Sequence, residues 1–261
     1  MKIGSHVERG RIFEGARDRL SDVVQINLTA PQTWRSPSDK GDEQKLLSSG
    51  LSIYVHAPYL VNPSSMNPEV RLKSIRCLKE QLNYVEKIGA KGLVVHGGHP
   101  TGSGSSKDAV NNWLEVLSAL QMPVNKILIE NTAGGKEAVA RKITTLTSFY
   151  QSLRDNGFEV GFCLDTCHAW AGGMDQINLV ENVLKAVGTI NLLHVNNSKD
   201  LFDSSRDRHE NLLKGSMEPE SILNIVKEAN IDCVVETPGG VELQKEDVRY
   251  LRENLEIPYN Q

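Results

Sequence analysis

The 261-residue sequence predicts one α/β domain over residues 1–261, a single (β/α)8 barrel of the TIM type. Three observations predict it. Eight short β-branched or apolar runs recur from end to end, each followed by polar loop residues and a stretch with helical spacing; strand–helix alternation of this kind builds a parallel sheet covered by helices. Segments such as Lys126-Ile127-Leu128-Ile129 and Asn191-Leu192-Leu193-His194 lack strict polar alternation, as expected of strands buried on both faces. The length is close to the roughly 250 residues typical of such a barrel. An open doubly wound sheet is the alternative, and eight repeats favour closure.

The runs occupy residues 2–7, 22–28, 52–57, 92–97, 126–131, 159–165, 189–195 and 232–237. Between the third and fourth, Ile75, Leu78, Leu82 and Val85 follow three- and four-residue steps, as do Val110, Trp113, Leu117 and Leu120 before the fifth. Each set lays an apolar stripe along one helix that can pack on the sheet. Asn67-Pro68 supplies a cap and a first-turn proline, and Asn156-Gly157 and Gly188 supply stops. No G-x-G-x-x-G follows a strand and no P-loop occurs; Gly102-Ser103-Gly104 reads as a flexible loop.

Composition sets bounds. Apolar residues make up 39% and charged residues 24%, ordinary for a globular chain. The net charge of -4 gives no global basic signature, so a nucleic-acid partner would be gripped locally by loops or metal ions. The opening residues lack the apolar core of a signal peptide, and no run approaches the 18 apolar residues of a membrane span. A cytoplasmic location is therefore expected. Cys77, Cys163, Cys167 and Cys233 lack C-x-x-C spacing and read as reduced packing residues.

The chemistry is concentrated at the carboxyl ends of the strands, where such barrels assemble active sites. The third to eighth runs carry His56, His96, Glu130, Asp165, His194 and Glu236 there. Ionisable groups crowded into one mouth repel or suffer desolvation if unpaired, and a cluster of metal cations resolves the conflict. Imidazole mixed with carboxylate suits zinc, with manganese or iron able to substitute. Asp165-Thr166-Cys167-His168 adds a histidine that can point into the same mouth. Asp207-Arg208-His209 adds a D-x-H pair whose alternate residues can grasp one ion. His6, ending the first run, is expected to support this set rather than ligate.

At this point the sequence resembles the endonuclease IV family of apurinic/apyrimidinic (AP) endonucleases. The matching motifs are His56-Ala57-Pro58-Tyr59, Glu130-Asn131-Thr132-Ala133-Gly134, Asp165-Thr166-Cys167-His168-Ala169, His194-Val195-Asn196 and Asp207-Arg208-His209-Glu210-Asn211. The resemblance implies three zinc ions per chain: His56 and His96 on the first, Glu130 bridging it to the second, Asp165, His194 and Glu236 completing the second, and His168, Asp207 and His209 on the third. It implies a double-stranded DNA substrate containing abasic sites, cut on the 5′ side to leave a 3′-hydroxyl and a 5′-deoxyribose phosphate. Glu130 is the catalytic candidate for orienting the nucleophile, and a monomer is the default. Candidate DNA contacts are Trp34, Arg35, Tyr59, Lys199 and Arg208.

The family pattern is broken outside the ligand positions. Gly97-Gly98-His99 replaces Pro-Gly-Ser, and Asn197 replaces an aspartate. Leu212-Leu213-Lys214-Gly215 replaces Ile-Gly-x-Gly, and Gln32-Thr33-Trp34 lacks an arginine that some members carry. Two other readings use the same residues. A single-metal sugar isomerase or epimerase would need only Glu130, Asp165, His194 and Glu236, leaving His56, His96, His168, Asp207 and His209 without a task. A non-catalytic DNA-binding relative would keep the metals and lose turnover.

Overall fold

The computed structural model describes residues 1–258. Its strands are β1 (Ile3–His6), β2 (Val23–Ile26), β3 (Ser52–His56), β4 (Gly92–His96), β5 (Ile127–Glu130), β6 (Gly161–Asp165), β7 (Leu192–His194), a short antiparallel pair β8 (Asn197–Ser198) and β9 (His209–Glu210), and β10 (Cys233–Val235). All but β8 and β9 form one closed parallel barrel, with β10 pairing β1. Each of the eight predicted runs holds one barrel strand. Every barrel strand is shorter than its run, and β7 is shortened most. Asn191, inside the seventh, spends its side-chain oxygen on the Phe162 amide at 3.0 Å instead of extending the strand.

The helices are α1 (Ile12–Asp18), α2 (Glu43–Ser48), α3 (Pro68–Lys87), α4 (Ser106–Leu120), α5 (Ile143–Asp155), α6 (Thr166–Ala171), α7 (Leu179–Val187), α8 (Pro219–Ala229) and α9 (Gly240–Asn254). α3 starts as predicted, with the Asn67 side chain accepting from the Glu69 amide and Pro68 in the first turn. α4 starts with a reciprocal cap between Ser105 and Asp108. α5 ends at Asp155 before Asn156-Gly157, and α7 ends before Gly188 at φ 89°, which favours glycine. The predicted stripes are buried at Leu78, Leu82, Val85, Trp113, Leu117 and Leu120, with Ile75 and Val110 at their edges. Each such large side chain contributes about 1.5–3 kcal/mol by leaving water.

Two cores result. The larger lies between the strands and the helices. The smaller fills the barrel interior with Val23, Tyr54, Val94, Leu128, Cys163, Leu192 and Val234. Strand side chains alternate between faces. The residue two positions further on therefore faces the same lumen, one layer higher. Those residues are Gln25, His56, His96, Glu130, Asp165, His194 and Glu236. An apolar plug thus carries a polar layer at the mouth.

Candidate metal centre

The polar layer is assembled by strand register. β4 and β5 bring His96 opposite Glu130, and β6 and β7 bring Asp165 opposite His194. The donor atoms gather into overlapping groups, each lying within 4.8 Å: His56, His96 and Glu130; Glu130, Asp165, His194 and Glu236; Asp165, His168 and His209; and Cys167, Asp207 and His209. Glu130 divides its two oxygens between the first two groups. Oε2 lies 3.2 Å from Nε2 of both His56 and His96, whereas Oε1 lies 3.0 Å from His194 Nδ1. His194 Nδ1 is also 3.1 Å from Glu236 Oε2 and 3.9 Å from Asp165 Oδ2.

The remaining donors arrive on α6 and the loop after β8. Asp165 caps α6 by accepting the His168 amide at 2.7 Å, which turns His168 back toward the mouth. Nε2 of His168 and Nε2 of His209 stand 3.1 and 3.3 Å from Asp207 Oδ1. All nine predicted ligands are therefore brought together.

The cluster fits metal ions on two counts. Donors about 2.0–2.2 Å from a tetrahedral ion lie roughly 3.3–3.6 Å from one another, close to the separations above. In addition, Nε2 of His168 and of His209 are buried without a hydrogen-bond partner among the described residues, despite the nearby Asp207 oxygen. Donors that crowd without hydrogen-bond alignment suit lone pairs sharing a cation.

The electrostatics agree. Burial opposes the charge on Glu130, yet His194, His96 and His168 hold its carboxyl well below the usual carboxylate range. Burial likewise opposes charge on Glu236 and Asp207, and neighbouring imidazoles win at both, lowering them. Burial works against protonation of His209, but Asp165 and Asp207 raise it to about 9; against the same burial, Asp165 and Asp207 hold His168, and Cys163 with Glu236 and Glu130 hold His194, well above the ordinary imidazole value. Without cations, protons on imidazole balance the carboxylates; a bound cation would displace them.

The candidate DNA contacts do not join this layer. Tyr59 is exposed and stacks its ring on His96 at 5.7 Å. Trp34 packs against the edge of the core. Arg35 is exposed in a cavity of about 790 Å³ that also includes His6, Asn27, Thr33 and Lys40. Lys199 stands 3.8 Å from Glu210, and Arg208 is paired with Asp200 at 2.5 Å. His6 stands beside the set, with Nδ1 3.6 Å from Glu236. The four cysteines are free and buried, although Cys167 belongs to one donor group.

The departures from the family pattern have local reasons. Gly97 donates its amide to Glu130 O at 2.9 Å, a bond proline cannot make. Asn197 donates Nδ2 to Leu212 O and Met217 O at 2.7 and 2.9 Å, and accepts from the Met217 amide at Oδ1. Only an amide side chain satisfies both ends. A Cβ on Gly215 would lie 2.1 Å from Asn197 Oδ1, so these two positions are linked.

Sequence reasoning missed Gln25, Asn131 and Asn196 as supports. Asn196 donates to Asp165 Oδ2 at 2.7 Å and accepts the Glu236 amide at 2.8 Å. Asn131 accepts the Asp165 amide at 2.7 Å, and its carbonyl meets His168 Nδ1 at 2.9 Å. Their adjacency to Glu130 and His194 was a usable signal. For Gln25 the signal was its place at the donor position of the second strand.

A closed parallel barrel with histidines and carboxylates gathered at its mouth is suited to metal binding, and the model of the family described as "Xylose isomerase-like TIM barrel" matches residues 22–254. A curated relative from Mycobacterium marinum, "Probable endonuclease 4", is 39% identical over 255 residues, covering 98% of this chain and 99% of its own. The solved endonuclease IV from Thermus thermophilus superposes with a TM-score of 0.82 at 27% identity, covering 99% of this chain and 100% of its own. A D-tagatose 3-epimerase-like protein, 18% identical over 98% of each chain with a TM-score of 0.76, shares the fold. The chain belongs to the endonuclease IV family.

Proposed function

We propose that this chain is a zinc-dependent AP endonuclease that cleaves the phosphodiester 5′ of abasic sites in double-stranded DNA. The observation that carries the reading is the convergence of nine donors into overlapping groups at one mouth. His56, His96 and Glu130 would hold one ion, Glu130, Asp165, His194 and Glu236 a second, and His168, Asp207 and His209 a third. Zinc supplies Lewis acidity toward the phosphate and lowers the pKa of water to about 7.

Glu130, with its oxygens divided between two groups, orients the attacking water. Four ligand carboxylates against three divalent ions leave roughly +2 at the mouth, which attracts a phosphate despite the acidic chain. Tyr59, exposed beside His96, is placed to stack where a nucleotide leaves the helix. An abasic nucleotide has no base to unstack, so its extrusion costs least. Arg35 and Lys199 are candidate cations for the backbone, and Arg208 would join them on leaving Asp200. No helix of the described residues is long and apolar enough to cross a membrane, and the protein is expected to act as a cytoplasmic monomer.

The test is incubation of the metal-loaded protein with a duplex carrying one abasic site, with and without chelator, alongside metal quantification. Scission at that site, lost on chelation, with about three zinc ions per chain is the expected result. Ketose–aldose interconversion with one ion per chain and no scission would replace the nuclease by an isomerase. Stable binding without cleavage under any metal would replace it by a binding protein.

A further inference from the structure

Three histidines of the cluster have one ring nitrogen committed elsewhere, and the commitments differ in kind. Nδ1 of His56 faces the carbonyl of Ala57 at 2.7 Å, and Nδ1 of His168 faces the carbonyl of Asn131 at 2.9 Å. Both rings therefore turn Nε2 into the mouth. His194 is reversed: its Nε2 lies 2.7 Å from Gln25 Oε1, and Nδ1 faces Glu130, Asp165 and Glu236.

The state of Gln25 follows from its other partner. Gln25 is fully buried on β2 and stands 2.6 Å from Glu236 Oε1. A carboxylate only accepts hydrogen bonds, so the amide nitrogen of Gln25 must face it. The amide oxygen then faces His194, and because it too only accepts, His194 Nε2 carries the hydrogen. One side chain thus fixes the ring orientation of His194 and, by holding Oε1 of Glu236, leaves Oε2 for the mouth. A barrel strand that contributes no donor to the cluster supplies the orientation of two.

We propose that Gln25 is the positioning residue of the group formed by Glu130, Asp165, His194 and Glu236, selecting Nδ1 of His194 and Oε2 of Glu236 as its ion-facing atoms. This rests on the metal-binding reading above, not on the identity of the substrate. Main-chain carbonyls serve His56 and His168 and survive side-chain substitution; the partner of His194 does not.

Two substitutions test it. Gln25→Met keeps the volume and removes both polar contacts. Gln25→Glu keeps an acceptor for His194 but sets a carboxylate against Glu236. Zinc and cobalt affinities are measured by competition with a chelator, cobalt absorption reports ligand geometry, and circular dichroism of the metal-free proteins reports folding. With folding retained, both variants should lose about 10–100-fold in affinity for one ion, change the cobalt spectrum of that ion alone, and lower kcat with little change in KM for abasic DNA.

Unchanged affinities and spectra, or equal weakening of every ion, would overturn the proposal. The two readings separate cleanly. Ion binding with this Gln25 dependence in a protein that leaves abasic DNA intact upholds Gln25 and removes the nuclease. Scission by the parent with Gln25→Met binding ions normally does the reverse.

Discussion

The two halves of the cluster are built differently. Glu130, Asp165 and His194 sit at strand ends, fully buried above the apolar plug. Asp207 comes from the loop between β8 and β9 and His209 from the start of β9, with side chains 52% and 18% exposed. Barrel register fixes the first set; local contacts fix the second. Arg141 reaches across to Asp203 Oδ1 at 3.0 Å and Ser205 Oγ at 2.6 Å, and the amides of Asp203 and Ser205 donate to Trp170 O and Ala171 O. Asp203 and Ser205 have φ near +57° and +60°, a conformation costing about 1–2 kcal/mol per residue that these contacts offset. The ions proposed for this mouth are therefore expected to be held with unequal tenacity.

The largest effect expected from this contrast compares Glu130→Gln with His209→Ala. Glu130→Gln should release both strand-held ions and lower kcat at least about 10³-fold, the upper range for losing one electrostatic contributor. His209→Ala should release only the loop-held ion, leave the barrel folded, and still remove most activity. Metal analysis beside nicking rates reads both. Equal ion loss in the two variants would erase the distinction between the halves.

Acidity offers a smaller, graded version. In the ion-free protein His209 holds its proton up to about 9, and a cation needs the neutral ring. Loop-held affinity should therefore rise with pH up to about 9, by up to about tenfold per unit as the His209 proton is displaced. Equilibrium dialysis of zinc at pH values below about 9 measures it; a flat profile would contradict the account.

Smallest is the expected effect of Arg141→Ala, which frees the loop without touching a donor. A decline of about tenfold in affinity for one ion, at the low end for removing a supporting contact, is expected from chelator competition. No change would show that the main-chain contacts suffice.

The barrel was legible because both signals that specify it are local: short buried runs, and stripes such as Leu78-Leu82-Val85 between them. Six of the donors were legible because each stands at the end of a run, where a buried ionisable group needs a partner, and His168, Asp207 and His209 were legible from their spacing. What escaped has a common cause. β8 and β9, two residues each, are too short for any periodicity and exist through pairing across the loop. Gln25 occupies a donor position but carries no charge, so it reads as an ordinary strand polar. The pairing of Arg208 with Asp200 depends on how the loop folds back, which spacing does not encode.

The layering inside the barrel carries one more consequence. Each strand-end donor stands two residues beyond a lumen-filling partner, as Glu130 does beyond Leu128 and His194 beyond Leu192. A strand that slipped by one residue would swing its donor out among the helices and push a neighbour into the lumen. Under the proposed function, divalent ions would then find an incomplete cage, so their capture would reward only the correctly aligned sheet and act as a proofreader of assembly.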